Sequence, residues 1–386
     1  MFAPYTLRCG LCDREYDPSV VQRLCTCGRP LLAKYRIDRT VPLVDNSLTA
    51  PLRHSMWRYR PLLPARNIQD IISLGEGQTP LLPVRRLGAY LGCPSLFIKD
   101  ESVNPSGSFK VRGMSAAISK AVELGISQFC VPTAGNAGGA AAAYAAAAGC
   151  TMRVYMPADS GEAFIDECRC YGAEVFTLDG TIIDAGKLMR EQCDPAEWFD
   201  LSTLKEPYRL EGKKTMGFEL YEDFNGELPD VIIYPTGGGT GLIGMWKAFN
   251  ELEALGLIDS FRPRLVSVQA EGCAPIPKAF AEGKEFAEPW PNPRTDALGL
   301  RVPQAVGDFL MLRAIRETRG DAVAVSETEW REGVNLLGRF AGLYACPESG
   351  AALAGLIRLL ESKKIDRSAG IVVFNTGTGF KYQHVL

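Results

Sequence analysis

The stretch PSGSFKVRG, residues 105–113, decides the fold of this chain. A strand-like run at residues 96–99 and a turn-rich segment precede it, and a helical pattern continues from it to residue 123. Lys110 therefore lies at a strand-to-helix turn, close to the cationic Arg112. Partial desolvation and a neighbouring positive charge both favour the neutral amine, which attacks carbonyl groups. The pattern predicts a Schiff-base lysine, and two solvated charges on a first helical turn are the alternative.

The composition is that of an ordinary globular protein and argues against several classes of function. The chain has 386 residues, of which 46% are hydrophobic, and a formal net charge of -3. It can bury a large core, but it carries no basic surface for nucleic acid. No apolar run reaches the length of a membrane span, and the first ten residues lack the pattern of a secretory leader. We therefore expect a cytoplasmic protein that binds neither nucleic acid nor membrane.

Cysteine and histidine usage limits the chemistry further. Eight of the twelve cysteines are scattered through an enzyme-sized body, which indicates reduced thiols and not a disulfide framework. The two histidines, His54 and His384, lie near opposite ends of the chain and away from every glycine-rich motif. A histidine-based triad or a histidine-ligated metal centre is therefore not expected.

Residues 1–40 form a separate cysteine-containing segment. Cys9 and Cys12 make a CxxC pair, Cys25 and Cys27 make a CxC pair, and twelve residues separate the two pairs. Two close pairs joined by a hairpin can place four thiolates around zinc. We predict a zinc-ribbon-like segment with a structural zinc. Because the second pair is not CxxC, free cysteines or a decayed metal site remain the alternative.

Small-residue loops follow predicted strands in the rest of the chain. TAGNAGG at 133–139 follows a strand at 128–132, PTGGGTG at 235–241 follows a strand at 230–234, and NTGTG at 375–379 follows the last strand. Backbone N–H groups at a strand–loop–helix junction bind anions. The first loop suits a carboxylate, and the second suits a phosphate because its glycines allow close approach. Its spacing fits neither a dinucleotide fingerprint nor a P-loop.

The alternation of short apolar strands with longer helices predicts an α/β fold with parallel sheets covered on both faces. We expect two open parallel-sheet domains beside the N-terminal segment. The larger comprises residues 41–125 and 206–386, and the smaller comprises residues 126–205. Ligands of such sheets bind in the crevice at the carboxyl ends of the strands, so the loops and Lys110 are expected to share one ligand. Pyridoxal phosphate (PLP) offers the phosphate, the carbonyl and the polar ring that these residues require.

A series of motifs, in this order, resembles the PLP-dependent enzymes of fold type II, the tryptophan synthase β-subunit family, and within it the threonine synthases. The motifs are SLGEGQTPL from 73, NPSGSFKVRGM from 104, TAGNAGGAAAAYAA from 133, PYRLEGKKTMGFEL from 207, PTGGGTGL from 235, ALGLRVP from 297 and NTGTGFKY from 375. They extend over nearly the whole chain. Cysteine ribbons similar to this one also precede some threonine synthases.

The resemblance implies a role for each candidate residue. Lys110 would form the Schiff base and move protons, Asn136 would hydrogen-bond the 3′-oxygen of PLP, and Thr376 would face its pyridine nitrogen. The glycine loop that would hold the 5′-phosphate consists of Gly237, Gly238, Gly239, Thr240 and Gly241. The substrate carboxylate would be bound by Thr133, Ala134, Gly135 and Ala137. Candidates for binding the substrate's own phosphate are Arg112, Lys213, Lys214 and Arg301, and a solvated or structural charge is the alternative for each.

The activity implied by the resemblance is that of a homodimeric PLP-dependent lyase. It would convert O-phosphohomoserine and water to threonine and phosphate through the Lys110 Schiff base. Val111 stands where threonine synthases commonly carry Asp, and SFKVRG is as similar to threonine or serine dehydratases. A dehydratase, or a β-replacement enzyme of the cysteate-synthase kind, is therefore the alternative. A binding module with a decayed enzyme body is a further alternative, which the presence of Lys110, Asn136 and the glycine loop in one chain argues against.

Overall fold

The computed structural model describes residues 2–383 and 385–386, so His384 lies outside the described residues. The chain divides into two compact units. Unit 1 consists of Met1–Gln78 and Asn104–Thr215, and unit 2 consists of Thr79–Val103 and Met216–Leu386. This partition differs from the domain limits expected from the sequence, which remain a prediction.

Strands and helices alternate along most of the chain. The strands are β1 (Tyr5–Cys9), β2 (Glu15–Tyr16), β3 (Leu31–Tyr35), β4 (Leu81–Pro83), β5 (Leu96–Asp100), β6 (Gln128–Pro132), β7 (Thr151–Pro157), β8 (Glu174–Leu178), β9 (Phe199–Asp200), β10 (Val231–Pro235), β11 (Arg264–Ala270), β12 (Asp321–Val325) and β13 (Ile371–Asn375). The helices are α1 (Ala50–Arg53), α2 (Arg85–Leu91), α3 (Lys110–Glu123), α4 (Asn136–Ala147), α5 (Glu162–Cys170), α6 (Ile182–Gln192), α7 (Arg209–Asp223), α8 (Thr240–Ala254), α9 (Pro275–Ala281), α10 (Asp308–Glu317), α11 (Glu327–Leu336) and α12 (Pro347–Glu361). Short 3-10 helices cover Met56–Leu62, Ile68–Asp70, Glu101–Val103, Pro105–Gly107, Ala158–Ser160, Leu298–Leu300 and Gly379–Lys381.

Unit 1 contains two sheets. The first is the N-terminal ribbon, an antiparallel sheet in the order β2-β1-β3. The second is fully parallel, in the order β8-β7-β6-β9. Its central strands are followed by helices α4 and α5, so the junction of β6 and α4 lies at the carboxyl edge of this sheet.

Unit 2 contains a six-stranded sheet in the order β12-β11-β10-β13-β5-β4. Neighbouring strands are parallel except for the edge strand β4, which is antiparallel to β5. Every residue of β10 and β13 is buried, as expected for central strands that helices cover on both faces. The predicted fold class, two parallel-sheet α/β bodies with an N-terminal cysteine segment, is confirmed.

Local sequence signals explain where several helices begin. Thr181 and Ser326 begin α6 and α11 with complete capping boxes. Helix α12 begins at Pro347, because proline is well suited to a first helical position. Helix α11 ends at Leu336, and a π-helical turn continues from it to Ala341.

Within the described part of the chain, no helix is long and apolar enough to cross a bilayer.

Candidate active site

Lys110 occupies the first position of α3 in unit 1. A single 3-10 turn at Pro105–Gly107 precedes it, and Ser106 has a left-handed backbone with φ of 52°. The Lys110 amine lies 4.4 Å from the centre of the Phe109 ring, and the side chain is half-buried. The role of Lys110 as the Schiff-base lysine remains a prediction.

Asn136 occupies the equivalent first position of α4, also in unit 1. The preceding loop folds on itself because the N–H of Gly135 donates to Thr133 Oγ1 at 3.2 Å. The residues of the carboxylate loop, Thr133, Ala134, Gly135, Asn136 and Ala137, are thus consecutive at the N-terminus of a twelve-residue helix. Such an end favours a bound anion. Their roles toward cofactor and substrate remain predictions.

Glu76 connects the helices that carry these two residues, and sequence reasoning missed it. Its buried carboxylate accepts hydrogen bonds from Ser115 Oγ of α3 at 2.6 Å and from the Tyr144 hydroxyl of α4. Trp57 Nε1 and the N–H of Leu74 donate to it at 3.1 and 2.9 Å. Burial is the largest influence on the pKa of Glu76 and raises it. The sequence did carry a signal for this residue: Glu76 is the single acidic residue between positions 71 and 99, and it lies within the SLGEGQTPL motif.

A cluster of buried charges lies where α7 begins in unit 1. Glu206 accepts the N–H groups of Tyr208 at 2.7 Å and of Arg209 at 3.0 Å. Burial raises the pKa of Glu206 to about 7, although Arg209 and the two N–H groups oppose this shift. Lys213 is also completely buried, with its amine 4.9 Å from the centre of the Phe109 ring. Burial, then Arg209 and Lys110, hold the pKa of Lys213 well below its ordinary value.

Two other basic candidates have clear structural contacts. The Arg112 guanidinium is completely buried and donates to Thr215 Oγ1 at 3.0 Å. Lys214 and Glu211 form an ion pair at 2.7 Å in which both side chains are completely buried. The structural alternative therefore has direct support at Lys214, and substrate binding by Arg112 remains a prediction.

The glycine loop joins β10 to α8 in unit 2. Gly239 has a left-handed backbone with φ of 82°, and a Cβ atom there would overlap the side chain of Met311. A Cβ atom on Gly237 would overlap the carbonyl oxygen of Gly299, and one on Gly241 would overlap the Tyr234 ring. The fifteen-residue helix α8 begins at Thr240, so the loop presents backbone N–H groups at a helix N-terminus. This geometry suits a phosphate.

Glu348 fixes the segment that packs against this loop, and it too was missed. Its Oε1 accepts the N–H of Gly299 at 2.7 Å and the hydroxyl of Tyr382 at 3.3 Å. Since the carbonyl of Gly299 lies against Gly237, the carboxylate supports one side of the glycine loop through the ALGLRVP segment. Sequence separation hid this contact, because Glu348 and Gly299 lie on different elements.

Thr376 follows the last residue of β13 and is buried in unit 2. Its N–H donates to Ser349 Oγ at 2.9 Å, and its hydroxyl lies 3.6 Å from the Cys346 sulfur. Burial raises the pKa of the Cys346 thiol far above its ordinary value, so the thiol is neutral at neutral pH. Ser349 and Cys346 are therefore neighbours of Thr376, and its role toward the pyridine nitrogen remains a prediction.

The four cysteines of the ribbon converge on one point. Cys9 and Cys27 have sulfur atoms 3.5 Å apart, as do Cys12 and Cys25, and all four sulfurs lie within 4.8 Å of one another. Tetrahedral zinc with bonds of about 2.3 Å requires sulfur separations of about 3.8 Å. The backbone N–H groups of Leu11 and Cys12 also point at Cys9 Sγ, each at 3.5 Å. The donor set and its dimensions fit zinc.

Comparison with known families decides the class of enzyme. The family described as pyridoxal-phosphate dependent enzyme matches residues 72–377. The chain belongs to this family. PLP is therefore its cofactor, and the sequence-based prediction of a fold type II PLP enzyme is confirmed. The residues described above fit that group, since they include an amine at a helix N-terminus, a glycine loop suited to phosphate and a neutral hydroxyl.

Curated relatives align over most of their own length. A threonine synthase of Methanocaldococcus jannaschii is 34% identical over 97% of this chain and 92% of its own. A threonine synthase of Methanosarcina acetivorans is 34% identical over 97% of this chain and 91% of its own. A threonine synthase of Synechocystis is 33% identical over 89% of this chain and 87% of its own.

Solved structures support the fold. Maize serine racemase superposes with a TM-score of 0.67 at 22% identity, covering 78% of this chain and 88% of its own. An L-serine ammonia-lyase from Rhizomucor miehei gives a TM-score of 0.65 at 23% identity, and the match covers 78% of this chain and 94% of its own. At these identities the likeness concerns the fold alone.

Proposed function

We propose that this PLP-dependent lyase is a threonine synthase, which converts O-phosphohomoserine and water to threonine and phosphate. The observation that carries the proposal is the alignment of nearly the whole chain with threonine synthases at 34% identity. The helix-terminal position of Lys110 supports it, because elimination chemistry needs an amine that can lose and regain a proton.

Each predicted site residue has a task in this proposal. Bound PLP supplies an electron-accepting ring that stabilises negative charge at the α-carbon of the substrate. Lys110 would hold the cofactor through its aldehyde carbon, and its Nζ would accept the proton that the substrate loses. The amide of Asn136 would donate to the 3′-oxygen, and the hydroxyl of Thr376 would face the ring nitrogen. The glycine loop would bind the 5′-phosphate through Gly237, Gly238, Gly239, Thr240 and Gly241.

Substrate recognition is assigned to the N-terminus of α4. The backbone N–H groups of the loop from Thr133 to Ala137 bind the substrate carboxylate, because a helix N-terminus favours an anion. Neighbouring helices bury these residues in part, which limits the access of water. Low water content strengthens the charge interactions on which binding depends.

Product analysis tests the reaction. Purified protein is incubated separately with O-phosphohomoserine, threonine, serine and O-phosphoserine, and phosphate, threonine, ammonia and keto acid are measured. Phosphate and threonine formed from O-phosphohomoserine alone support the proposal. Ammonia and keto acid formed from threonine or serine would replace it with a dehydratase, the alternative that Val111 leaves open. In a parallel incubation with sulfite, a sulfonate product formed from O-phosphoserine would indicate the cysteate-synthase kind.

Trapping of the cofactor tests the role of Lys110. Borohydride should bleach the yellow protein and leave one PLP attached to the peptide that contains Lys110. The Lys110→Ala variant should bind no PLP covalently and form no product. The Lys205→Met variant, which changes a partly exposed lysine of the same unit, is the matched control and should retain both properties. PLP trapped on another lysine would refute the assignment.

The ribbon and the assembly complete the proposal. Cys9, Cys12, Cys25 and Cys27 hold a structural zinc ion, for which their sulfur separations are the support. We further expect a homodimer, as the family resemblance implies, and a cytoplasmic location, as the scattered cysteines indicate. Sedimentation of the holoenzyme tests the assembly, and a monomer at micromolar concentration would contradict it.

A further inference from the structure

The N-terminal ribbon connects the cysteine cluster to a pair of tyrosine rings. Strands β1 and β3 pair along their whole length, so Cys9 lies opposite Leu31 at one end and Tyr5 lies opposite Tyr35 at the other. The centres of the two tyrosine rings are 5.1 Å apart. The ladder is therefore a link of about 14 Å between a predicted zinc ligand and the tyrosine pair.

The tyrosine pair packs against α7. The centre of the Tyr35 ring lies 4.0 Å from the Lys214 amine, within the range of a cation–π contact. Lys214 also forms the buried 2.7 Å ion pair with Glu211, which lies one turn earlier on the helix. Tyr35 itself is buried. A side chain of the ribbon thus forms part of the surroundings of a buried ion pair in the first two turns of α7.

A second set of contacts joins the tyrosine pair to the end of α3. The Arg66 guanidinium lies 5.1 Å from the ring centre of Tyr5 and 5.8 Å from that of Tyr35. The backbone N–H groups of Arg66 and Asn67 donate to the carboxylate of Glu123, the last residue of α3, at 2.5 and 3.0 Å. The tyrosine pair therefore contacts α7 directly and is connected to α3 through Arg66.

The same two helices carry the lysine side of the candidate site. Lys110 begins α3, and the Lys213 amine of α7 lies 4.9 Å from the centre of the neighbouring Phe109 ring. The helices pack closely, since a Cβ atom on Gly212 of α7 would overlap the carbonyl oxygen of Arg112 on α3. Interiors packed this tightly transmit displacement from one element to the next. A shift of α7 would therefore also move the start of α3, where Lys110 lies.

We propose that Tyr35 is a positioning residue for Lys110 and that zinc and PLP therefore bind to this chain cooperatively. When zinc binds, the cysteine end of the β1–β3 ladder is fixed, the ladder holds the Tyr35 ring against Lys214, and the ring holds α7 on α3. The inference rests on the zinc site proposed above, and it does not depend on which amino acid is the substrate. Coupling between two binding sites acts equally in both directions. Zinc should raise the affinity for PLP by the same factor by which PLP raises the affinity for zinc.

Equilibrium binding to the full chain tests the coupling without any catalysis. The dissociation constant of PLP is measured by absorbance titration of cofactor-free protein, first with zinc bound and then after a chelator has removed it. The dissociation constant of zinc is measured by competition with a chromophoric chelator, with and without PLP. We expect each constant to change by about tenfold, within the range usual for coupled sites. A wild type that binds zinc and shows no change in either constant would overturn the proposal.

Substitution of Tyr35 separates positioning from support of the fold. Tyr35→Leu keeps the four cysteines and should still bind zinc, but the ring against Lys214 is lost. We expect the coupling to fall below about twofold in this variant, whereas Tyr35→Phe, which keeps the ring, should retain about tenfold coupling. Tyr155→Leu is the matched control, because Tyr155 is also buried in unit 1 but stacks on Phe176 of the parallel sheet at 4.8 Å. It should lower stability and leave the coupling unchanged.

The coupling factors of these variants decide the role of Tyr35. Full coupling in Tyr35→Leu, or equal loss of coupling in Tyr155→Leu, would overturn it. A wild type that binds no zinc would refute the proposed metal site and, with it, the coupling. Tyr35→Leu would then still test the positioning role, because loss of the ring should raise the dissociation constant of PLP about fivefold or more. An unchanged constant would overturn that role as well.

Discussion

Replacement of Glu76 provides a direct test of how the two halves of the unit 1 site are held. The carboxylate ties Ser115 of α3 to Tyr144 of α4, the helices that begin with Lys110 and Asn136. Removing it in Glu76→Ala leaves the buried Tyr144 hydroxyl without its acceptor. The N–H of Leu74 loses an acceptor as well.

The expected magnitude follows from these contacts. A buried donor left without a partner costs about 1–3 kcal/mol, and the emptied space of the side chain adds a further penalty. Glu76→Ala should therefore lower the free energy of unfolding by about 3 kcal/mol or more. Ser115 and Trp57 keep other partners, since Ser115 Oγ also contacts the carbonyl of Ile72 at 2.7 Å and accepts Trp57 Nε1 at 2.8 Å.

Glu76→Gln is the matched variant. Its amide oxygen can take the place that faces Tyr144 and Leu74, while its NH2 group donates to Ser115 Oγ, which then donates to Ile72. Trp57 Nε1 loses its contact with residue 76 but still donates to Ser115 Oγ. The neutral amide also avoids the cost of burying a charge, which is the effect that raises the pKa of Glu76. We expect a loss below about 1 kcal/mol.

Urea unfolding followed by circular dichroism measures both variants, and borohydride trapping reports how much PLP each binds. Glu76→Ala should be the weaker binder, because α3 and α4 lose their common anchor. If Glu76→Ala unfolded within 1 kcal/mol of the wild type, or if both variants lost equal stability, the carboxylate would not be the element that joins the helices.

Other predictions concern the phosphate loop, the metal and pH. Gly239→Ala should raise the dissociation constant of PLP at least tenfold, because the added Cβ would overlap Met311 and the backbone at this position is left-handed. An absorbance titration measures this constant. Unchanged affinity would show that the loop does not bind phosphate. Cys12→Ser should reduce zinc, measured by mass spectrometry, from one ion per chain to below 0.2 and lower the melting temperature, and a wild type without zinc would refute the site. Glu206 has a pKa raised from 4.5 to about 7, so the free energy of unfolding should fall by about 3 kcal/mol as pH rises from 4.5 to 7. Glu206→Gln should flatten that slope in urea unfolding. An unchanged slope would show that other groups cause it.

Local pattern was sufficient for the elements and for the loops at their ends. Turn residues and the short apolar strand indicated the glycine loop before α8, and the spacing of Cys9, Cys12, Cys25 and Cys27 indicated the converging thiols. The order of the motifs indicated the family. These properties depend on neighbours in sequence, since a backbone turn, a helix start or a CxxC pair is specified within a few residues.

Tertiary packing alone decided which distant side chains meet. Glu76 reaches Ser115 and Tyr144, and Lys213 comes to the ring beside Lys110, because helices from separate segments pack in contact. The partners of a buried carboxylate or amine depend on its position in the folded chain, and the hydrophobic periodicity of the sequence does not predict that position. Burial is also the main influence on the pKa values of Glu76, Glu206 and Lys213, and burial is a property of the folded chain. The sequence by itself therefore determined which chemical groups the protein carries, and the fold decided which of them lie together.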